Sequence, residues 1–436
     1  MRRLLIKGGR VLDPAENVDA VLDVLVEDDR VSAVGVDLSA EAEVLDASGL
    51  LVCPGFIDMH VHLRDPGEEY KEDMASGTRA AARGGFTAIA CMPNTQPVID
   101  NRALVEALLR KTQNMGCVRV YPICALSKGQ KGEELAELAD MRQAGAVAAS
   151  DDGHPVQNGQ LMRLALDYLR PFDMPVINHA EDKSLTEGAV MHEGSVSTLL
   201  GLRGMPAEAE ELMVARDLML ARLTGGRLHI PHVSTKGAVE LIAAYKSQGF
   251  KVTCEVAPHH LLLTDKIVRE TWYDTNTKVN PPLRSLEHVE ALHQAIKEGV
   301  IDAIASDHAP HHQDDKLVEY DYAAFGISGL ETSVGLMARR LVHEGSLSWA
   351  DLIRLYSLHP ARILNVEGGS LAQGVRADIT IIAPELEGTV TAQAFASKGR
   401  NTPFEGWKFK GAPWGTVVGG DVVMWEGRLT GGDKVT

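Results

Sequence analysis

The chain has 436 residues, of which 45% are hydrophobic and 24% charged, and its formal net charge is −17. This length and balance suit a soluble globular protein with one large domain, one smaller domain and a sizeable core. The acidic charge without any run of Lys and Arg argues against a nucleic-acid partner. The absence of an apolar stretch of about 18 residues argues against a membrane span.

The cysteines and the N-terminus predict the compartment. The chain has five cysteines, an odd number, and no Cys-x-x-Cys motif, which favours reduced and buried thiols. The first residues, Met-Arg-Arg-Leu-Leu-Ile-Lys-Gly-Gly, lack the long apolar segment of a signal peptide. We therefore expect a cytoplasmic protein.

The chain begins with a β-rich region. Residues 4–6, 21–26 and 31–34 are apolar runs, and Gly-Gly, Asp-Pro and Asp-Asp turn signals separate them. This pattern predicts short strands within residues 1–50. No helix of useful length is predicted there.

The middle of the chain alternates between strand-like and helix-like segments. Apolar strand runs occupy residues 52–62, 87–92, 118–126, 146–150, 175–179, 228–233, 251–256 and 301–306. Helical patterns lie between them at residues 71–83, 103–114, 132–144, 159–169, 207–223, 236–248 and 287–297. The alternation predicts a (β/α)8 TIM-type barrel over residues 53–364. A doubly wound open sheet is the alternative, but its dinucleotide-binding form needs a G-x-G-x-x-G motif that we do not find after the first strand.

The C-terminal region returns to short strands. Residues 378–382, 389–391, 417–418 and 422–425 are strand-like, and Gly419-Gly420 is a hairpin-turn signal. Two β-rich ends that flank a different middle predict one small β-sandwich domain, composed of residues 1–52 and 365–436.

The first strand of the predicted barrel carries two histidines. His60 and His62 are two residues apart, and side chains at this spacing on a strand point the same way. Two imidazoles on one side of a strand end can bind one metal ion. Arg64 continues the alternation, and its guanidinium can hold a carboxylate through two hydrogen bonds. This stretch therefore predicts a metal site with an anion-binding group beside it.

Further polar residues follow the later strands, where a barrel carries its catalytic groups. These residues are Asp151, Asp152, His179, His232 and Asp307. Buried charges and imidazoles are costly unless they are paired or bind metal. The set suggests one ion on His60, His62 and Asp307, a second on His179 and His232, and a bridging carboxylate from Asp151 or Asp152. Two such ions can activate water and polarise a carbonyl, and Asp307 is also a candidate general base and acid.

These motifs resemble the amidohydrolase superfamily and, more closely, the dihydroorotase family. The run Asp-Met-His-Val-His-Leu-Arg-Asp-Pro at residues 58–66 resembles the first signature of that family. The run Ala-Ser-Asp-His-Ala-Pro-His at residues 305–311, with Lys316 beyond it, resembles the second. Segments at residues 92–95, 280–284 and 325–326 resemble its substrate-binding segments.

The resemblance implies two divalent metal ions, with zinc as the expected metal. It assigns His60, His62 and Asp307 to the first ion and His179 and His232 to the second. It assigns the bridge to Asp152, with Asp151 as the fallback, in the place of a carbamylated lysine. The chain has no Lys between Lys131 and Lys183, which favours the aspartate branch of the family.

The resemblance also implies the reaction, which is reversible closure of N-carbamoyl-L-aspartate to L-dihydroorotate and water in pyrimidine biosynthesis. Substrate carboxylates are expected to contact Arg64, Asn94 and His311. The ring amide region is expected to contact Asn280, Phe325 and Gly326. We assign no role to Asp65, Glu181 or His312, and a structural role to His259 and His260.

Two other functions are compatible with parts of this pattern. A hydantoinase or allantoinase would share the metal ligands, but Arg64, Asn94 and the Ala-Pro-His run at residues 309–311 favour dihydroorotase. A non-catalytic subunit beside a transcarbamoylase would have lost ligands, whereas here every expected position is filled. The expected partners are a small anionic substrate, a second copy of the chain in a homodimer, and a transcarbamoylase.

Overall fold

The computed structural model describes residues 2–345 and 347–430. In chain order its strands are β1 (Arg3–Asp13), β2 (Val18–Glu27), β3 (Arg30–Gly35), β4 (Glu43–Asp46), β5 (Leu51–Pro54), β6 (Phe56–Val61), β7 (Phe86–Cys91), β8 (Arg119–Cys124), β9 (Ala148–Ser150), β10 (Val176–Ile177), β11 (Met191–His192), β12 (Gly204–Met205), β13 (Leu228–Ile230), β14 (Val252–Val256), β15 (Ala303–Ile304), β16 (Ile379–Thr389), β17 (Lys408–Val418), β18 (Asp421–Trp425) and β19 (Arg428–Leu429).

The α-helices are α1 (Met74–Arg83), α2 (Arg102–Met115), α3 (Leu138–Ala144), α4 (Gly159–Leu169), α5 (Lys183–Thr186), α6 (Ser195–Leu200), α7 (Glu208–Thr224), α8 (Lys236–Lys246), α9 (Pro258–Leu262), α10 (Lys266–Glu270), α11 (Leu286–Lys297), α12 (Gln313–Lys316), α13 (Leu330–Met337), α14 (Trp349–Ile353) and α15 (His359–Leu364). Short 3-10 segments occupy Lys128–Gln130, Arg170–Phe172, Thr275–Thr277 and Ala392–Ala394, and π-helical segments occupy Ala338–His343 and Arg354–Leu358. None of the helices in the described residues has the length and apolar character needed to cross a bilayer.

Eight parallel strands form the barrel. Their order is β6-β7-β8-β9-β10-β13-β14-β15, and each neighbouring pair is parallel. The last strand region returns to the first through a parallel bridge between Val61 and His308, where His62 N donates to His308 O over 2.8 Å. The predicted barrel is confirmed, and the carboxyl ends of its strands share one face.

The two chain ends build a second sheet. Its order is β19-β18-β17-β16-β5-β1-β2-β3, with β4 paired to β1. Strand β5 joins the two ends, because it lies parallel to β1 and antiparallel to β16, with Val52 opposite Ile381. The prediction that both termini contribute to one β-rich unit is confirmed.

The predicted first barrel strand is in fact two strands. Residues 52–54 belong to β5 in the terminal sheet, and the barrel strand β6 begins only at Phe56. Gly55 separates them, and its N–H donates to Asp378 O over 2.8 Å. A side chain at this position would meet Thr87 Oγ1 at 2.2 Å, so only glycine allows the close approach. This junction connects the barrel directly to the terminal sheet.

Side-chain caps fix where several barrel helices begin. Asp73, Asn101, Asn158 and Thr235 are the N-cap residues of α1, α2, α4 and α8, and each side chain accepts a backbone N–H of the first turn. Such caps satisfy N–H groups that have no partner within the helix. The helix starts are therefore encoded locally in the sequence.

Aromatic packing supports the first barrel strands from outside. The Phe56 ring lies 5.3 Å from the Tyr356 ring, which lies 5.9 Å from the Phe86 ring, and all three side chains are fully buried. Small and medium apolar residues such as Ile57, Met59 and Ala88 form a separate buried cluster of the same strands. The five cysteines are free thiols, and four of them are buried as predicted, whereas Cys117 is half-buried. This core holds the strand ends in fixed positions.

Candidate metal centre

The six predicted metal ligands meet at the carboxyl face of the barrel. His60 lies near the end of β6, and the others follow the ends of β6, β9, β10, β13 and β15. All six side chains are buried, and they are His60, His62, Asp152, His179, His232 and Asp307. Two subsets have ligand atoms close enough to hold one ion each, namely His60 with Asp152 and His232, and His60 with His62 and Asp307.

The Asp152 carboxylate lies between two sets of ligands. Its Oδ2 atom is 3.5 Å from His60 Nε2 and 3.5 Å from His62 Nε2. Its Oδ1 atom is 3.6 Å from His179 Nδ1 and 3.4 Å from His232 Nε2. Each oxygen thus faces a different pair of imidazoles, which is the arrangement that a bridging ligand requires.

Asp307 completes the first set. Its Oδ1 atom lies 3.3 Å from His62 Nε2 and 3.6 Å from His60 Nε2. Burial opposes ionisation of this carboxyl, but the hydrogen bond to His62 and the charges on His60 and His232 hold its pKa below the usual range. Asp307 is therefore a carboxylate at neutral pH and can accept a proton or bind a cation.

Asp151 has different partners. Its Oδ1 atom accepts hydrogen bonds from Leu126 N over 2.8 Å and from Ser127 N over 3.1 Å, and its Oδ2 atom accepts from Ser127 Oγ. Burial raises its pKa to about 6, although these hydrogen bonds oppose the shift. The structure brings Asp152, not Asp151, into the cluster, and Asp151 braces the end of β8.

Three ligands are oriented by a second hydrogen bond. His60 Nδ1 lies 3.0 Å from Glu255 Oε1, and His62 Nδ1 lies 2.9 Å from Asn94 Oδ1. In both rings Nε2 then faces the cluster, and an imidazole that donates from Nδ1 presents its acceptor at Nε2 when it is neutral. Glu255 is a carboxylate. Burial opposes the ionisation of Glu255, but hydrogen bonds from His229 and His60 lower its pKa to about 2.

Glu181 orients the third ligand and also reaches a substrate segment. Its Oε2 atom lies 3.0 Å from His179 Nε2, and it accepts from Lys183 Nζ over 2.8 Å and from Asn280 Nδ2 over 2.9 Å. Neither contact was predicted: Glu181 had no assigned role, and Glu255 was not among the candidate residues. A carboxylate inside the apolar run Val-Thr-Cys-Glu-Val of β14 was the available signal for Glu255.

The cluster fits divalent metal ions. Within the described part of the chain the buried His60 Nε2 atom has no hydrogen-bond partner, and two carboxylates are buried around it. In the metal-free protein, protons on the histidines balance the negative charges of these carboxylates. Burial opposes protonation of His179, but its hydrogen bonds with Asp152 and Glu181 raise its pKa to about 9. Imidazole and carboxylate donors suit zinc and similar ions, which would replace these protons.

Three site residues have unusual backbone conformations. Arg64, His232 and Asp307 have φ angles of 60°, 32° and 46°, in the left-handed region that non-glycine residues rarely adopt. Such conformations cost on the order of 1–3 kcal/mol each and concentrate at functional sites. The backbone is therefore strained at these three positions, and this conformation sets the direction of their side chains.

Arg64 and His311, two of the residues predicted to bind substrate carboxylates, are in contact. The buried Arg64 donates from Nε to Pro310 O over 3.2 Å, and one terminal nitrogen lies 3.2 Å from His311 Nε2. The same His311 nitrogen lies 2.8 Å from Phe325 O. Burial and the Arg64 charge lower the pKa of His311 to about 2, so it is neutral. The two side chains follow β6 and β15, the first and last strands of the barrel, and meet through this contact.

The other predicted substrate residues make protein contacts here. Asn94 holds His62, and Asn280 holds Glu181. Gly326 has φ of 144°, and its N–H donates to Lys278 O over 2.9 Å. The Lys278 ammonium lies 4.4 Å from the centre of the Phe325 ring. Phe325 and Gly326 therefore lie next to His311 and Arg64. Asn94 and Asn280 instead contact His62 and Glu181.

Known proteins resemble this chain in sequence and in fold. A family model described as dihydro-orotase-like matches residues 49–238, and an amidohydrolase family model matches residues 230–424. The dihydroorotase of Pelotomaculum thermopropionicum is 56% identical over 97% of this chain and 98% of its own length. That of Syntrophotalea carbinolica is 54% identical over 96% and 98%.

Solved structures share the whole architecture. The L-hydantoinase (dihydropyrimidinase) of Arthrobacter aurescens superposes with a TM-score of 0.89 over 99% of this chain and 98% of its own, at 26% identity. A dihydropyrimidinase from Brevibacillus agri superposes with a TM-score of 0.86 over 98% and 96%, at 23% identity. The similarity extends over both the barrel and the terminal sheet.

Proposed function

This chain belongs to the dihydroorotase family of amidohydrolases, and we propose that it interconverts N-carbamoyl-L-aspartate and L-dihydroorotate in pyrimidine biosynthesis. Ring closure joins the ureido nitrogen to the side-chain carboxyl carbon and releases water. The family is one of cyclic amide hydrolases that depend on divalent metal ions. A small anionic substrate also agrees with the buried Arg64 beside the candidate metal centre.

The orientation of Asp152 is the observation that carries this proposal. We assign His60, His62 and Asp307 to one divalent ion and His179 and His232 to another, with zinc as the expected metal. The two Asp152 oxygens face these sets separately, which supports a bridging role. Two bound ions would supply Lewis-acid polarisation of the amide carbonyl and lower the pKa of water.

Asp307 moves the proton in this proposal. In ring opening its carboxylate accepts a proton from the attacking water and donates it to the ring nitrogen as the C–N bond breaks. In ring closure the same carboxylate takes a proton from the ureido nitrogen and passes it to the departing oxygen, and a second proton from solution completes the water that leaves. The low pKa of Asp307 supports the first role, because the base must begin deprotonated.

Arg64, Asn94 and His311 hold the substrate carboxylates, and Asn280, Phe325 and Gly326 contact the ring amide region. The fork of Arg64 suits a carboxylate, and its position next to His311 concentrates N–H donors at one point. Positioning of this kind places the reacting carbon against the catalytic groups and lowers the barrier to reaction.

A parallel assay tests the proposal. Purified protein loaded with zinc would be given dihydroorotate, hydantoin and allantoin, and its metal content would be measured by elemental analysis. We expect more than one metal equivalent and a kcat/KM for dihydroorotate at least about 100-fold above the others, because a buried Arg rejects substrates without a carboxylate. Faster turnover of hydantoin would favour the hydantoinase alternative. No turnover of any substrate would favour a structural subunit.

We further propose a cytoplasmic location, a homodimer and association with a transcarbamoylase. We also propose a catalytic domain of residues 53–364 and a composite β-sandwich domain of residues 1–52 and 365–436, with the correction that residues 53–54 lie in β5 and so belong to the terminal sheet. The pairing of β5 with both β1 and β16 supports the composite domain.

A further inference from the structure

A loop of the terminal sheet reaches the carboxyl face of the barrel. Residues 395–402 lie in the connection between β16 and β17. Ser397 Oγ donates to Glu72 Oε2 over 2.5 Å, and Ser397 N donates to Glu331 Oε1 over 3.1 Å. Glu72 lies just before helix α1, and Glu331 lies in the first turn of α13. Two carboxylates of the barrel therefore fix this segment in place.

Asn401, at the end of the segment, uses the whole hydrogen-bonding capacity of its side chain on two loops of the candidate site. This side chain is buried. Its Oδ1 atom accepts from His311 N over 3.0 Å and from Ser328 Oγ over 2.9 Å. Its Nδ2 atom donates to Ala309 O and to Gly326 O, each over 3.0 Å. These four bonds need the two donors and the two lone pairs of a side-chain amide.

The bonds of Asn401 fix the chain on both sides of Pro310. Ala309 and His311 precede and follow this proline, and the Pro310 carbonyl accepts from Arg64 Nε over 3.2 Å. A terminal nitrogen of Arg64 also lies 3.2 Å from His311 Nε2. Asn401 therefore sets the position of Arg64 through the backbone of residues 309–311.

Gly399 brings the segment into close contact with the same backbone. A Cβ atom at Gly399 would lie 2.5 Å from Pro310 Cβ and 2.7 Å from Ser328 Oγ. A larger residue would therefore push the segment away from both loops, because a packed interior has no space to receive it. The loops at residues 309–311 and 326–328 are thus held together from outside the barrel.

We propose that Asn401 is a positioning residue for the pocket that receives the substrate carboxylate. It joins residues 309–311 to residues 326–328, so that Arg64 and His311 keep the geometry that a two-point grip on a carboxylate requires. This inference rests on the proposed function, which assigns Arg64 and His311 to the substrate. The terminal sheet then contributes to the substrate pocket as well as to the stability of the barrel.

Kinetics of Asn401→Ala test this role in the metal-loaded full-length protein. The kcat/KM for dihydroorotate should fall by about 10-fold or more, because the loops that hold Arg64 lose their common anchor. Metal content should not change. The double variant Asn401→Ala/Arg64→Lys should lose little more than Arg64→Lys alone, since both changes act on one pocket. A residue that only stabilised the fold would instead give losses that multiply.

Two further variants separate positioning from folding. Thr402→Ala is the matched control, because Thr402 is also buried and its hydroxyl accepts from Phe404 N, within its own segment, over 3.3 Å. Its kcat/KM should stay within about twofold of wild type. Gly399→Ala keeps the Asn401 amide but displaces the segment, so it should reproduce the loss of kcat/KM even if Asn401→Ala does not fold.

Hydrogen exchange provides a readout that needs no substrate. The amide of His311 loses its acceptor in Asn401→Ala, so peptides that span residues 309–328 should exchange faster, whereas those of the barrel strands should not change. Unchanged exchange in these peptides, kinetics equal to wild type, or losses that multiply with Arg64→Lys would each overturn the role of Asn401 alone. A wild type that does not turn over dihydroorotate would overturn the proposed function and this role together.

Discussion

Asp151 and Asp152 are adjacent in the chain, yet their carboxylates have unrelated partners. Asp151 accepts two backbone N–H groups at the end of β8, and Asp152 lies among four imidazoles. Local sequence cannot separate two neighbouring aspartates, because the choice depends on which of them turns into the barrel mouth. The three-dimensional contacts separate them clearly.

This difference predicts opposite effects of alanine substitution. Asp152→Ala should lose both metal ions and essentially all activity, because one carboxylate serves both sets of ligands. Asp151→Ala should keep its metal but lose about 2–3 kcal/mol of stability, since two buried N–H groups would lose their acceptor. Elemental analysis and urea unfolding of both variants measure these outcomes. The assignment is wrong if Asp151→Ala is the variant that loses metal.

Arg64 gives a second prediction at this scale. Arg64→Lys should lower kcat/KM for dihydroorotate by about 100-fold, because an ammonium cannot reproduce the two-point grip of a guanidinium. Metal content should not change, since Arg64 contacts Pro310 and His311 rather than a proposed ligand. The matched control is Arg110→Lys at a surface position that is 66% exposed. Kinetics equal to wild type in Arg64→Lys would remove it from substrate binding.

Among the secondary-structure elements, the bounds of a helix were predicted well where its apolar spacing was regular and its N-cap residue was recognisable. Helix α4 occupies the predicted residues 159–169, since its cap and its apolar spacing agree. The predicted helix at residues 132–144 begins only at Leu138, because residues 134–136 instead pair with the segment after β8, where Ala136 N donates to Leu126 O over 3.0 Å. Helices α12 to α15 were not predicted, because they are short and the π-helical segments break the regular 3.6-residue spacing.

The candidate site likewise has features that the sequence predicted and features that it did not. The convergence of the six candidate ligands was predictable, because the carboxyl ends of parallel strands in a barrel meet on one face. The orienting contacts of Glu255 and Glu181 were not, because they depend on side-chain directions between different strands. Sequence reasoning also did not show that Asn94 and Asn280 would hold those same groups.

The loop between α12 and α13 leads to a prediction about Gly326. A Cβ atom at Gly326 would lie 2.7 Å from Ala309 O. Gly326→Ala should therefore displace the loop that contains Phe325, whose carbonyl contacts His311. We expect kcat/KM to fall by about 10-fold or more, because small misplacements cost much in catalysis. Gly374→Ala is the control, since that glycine also has a positive φ, 84°, but nothing within 4 Å. It should cost about 1 kcal/mol of stability without a kinetic effect.

At the scale of the whole molecule, metal binding and folding are coupled through protons. In metal-free protein the pKa of His179 is raised to about 9 by its bonds with Asp152 and Glu181, although burial opposes this. The stability from this proton is complete below pH 6.5, the usual pKa of histidine, and is lost as pH rises through about 9. Metal needs the neutral imidazole, so its binding strengthens over the same range.

The resulting prediction concerns melting temperatures. The difference in Tm between zinc-loaded and chelator-treated protein should be small at pH 6 and should widen up to pH 9. One displaced proton over this window corresponds to on the order of 3 kcal/mol. Calorimetry of both forms at several pH values measures the change. A difference that is constant with pH would show that His179 does not exchange a proton for the metal.

The terminal sheet also has a consequence for the order in which a ribosome can complete this protein. Strand β5 pairs with β16 at Val52 and Ile381, positions about 330 residues apart. At roughly 5–20 residues per second, synthesis of the intervening chain takes roughly 15–65 s. During that time the edge of β5 that will receive β16 has no partner, and an open strand edge invites pairing with other chains. Nascent chains should therefore be most prone to aggregation, and most dependent on chaperones, until β16 and β17 emerge.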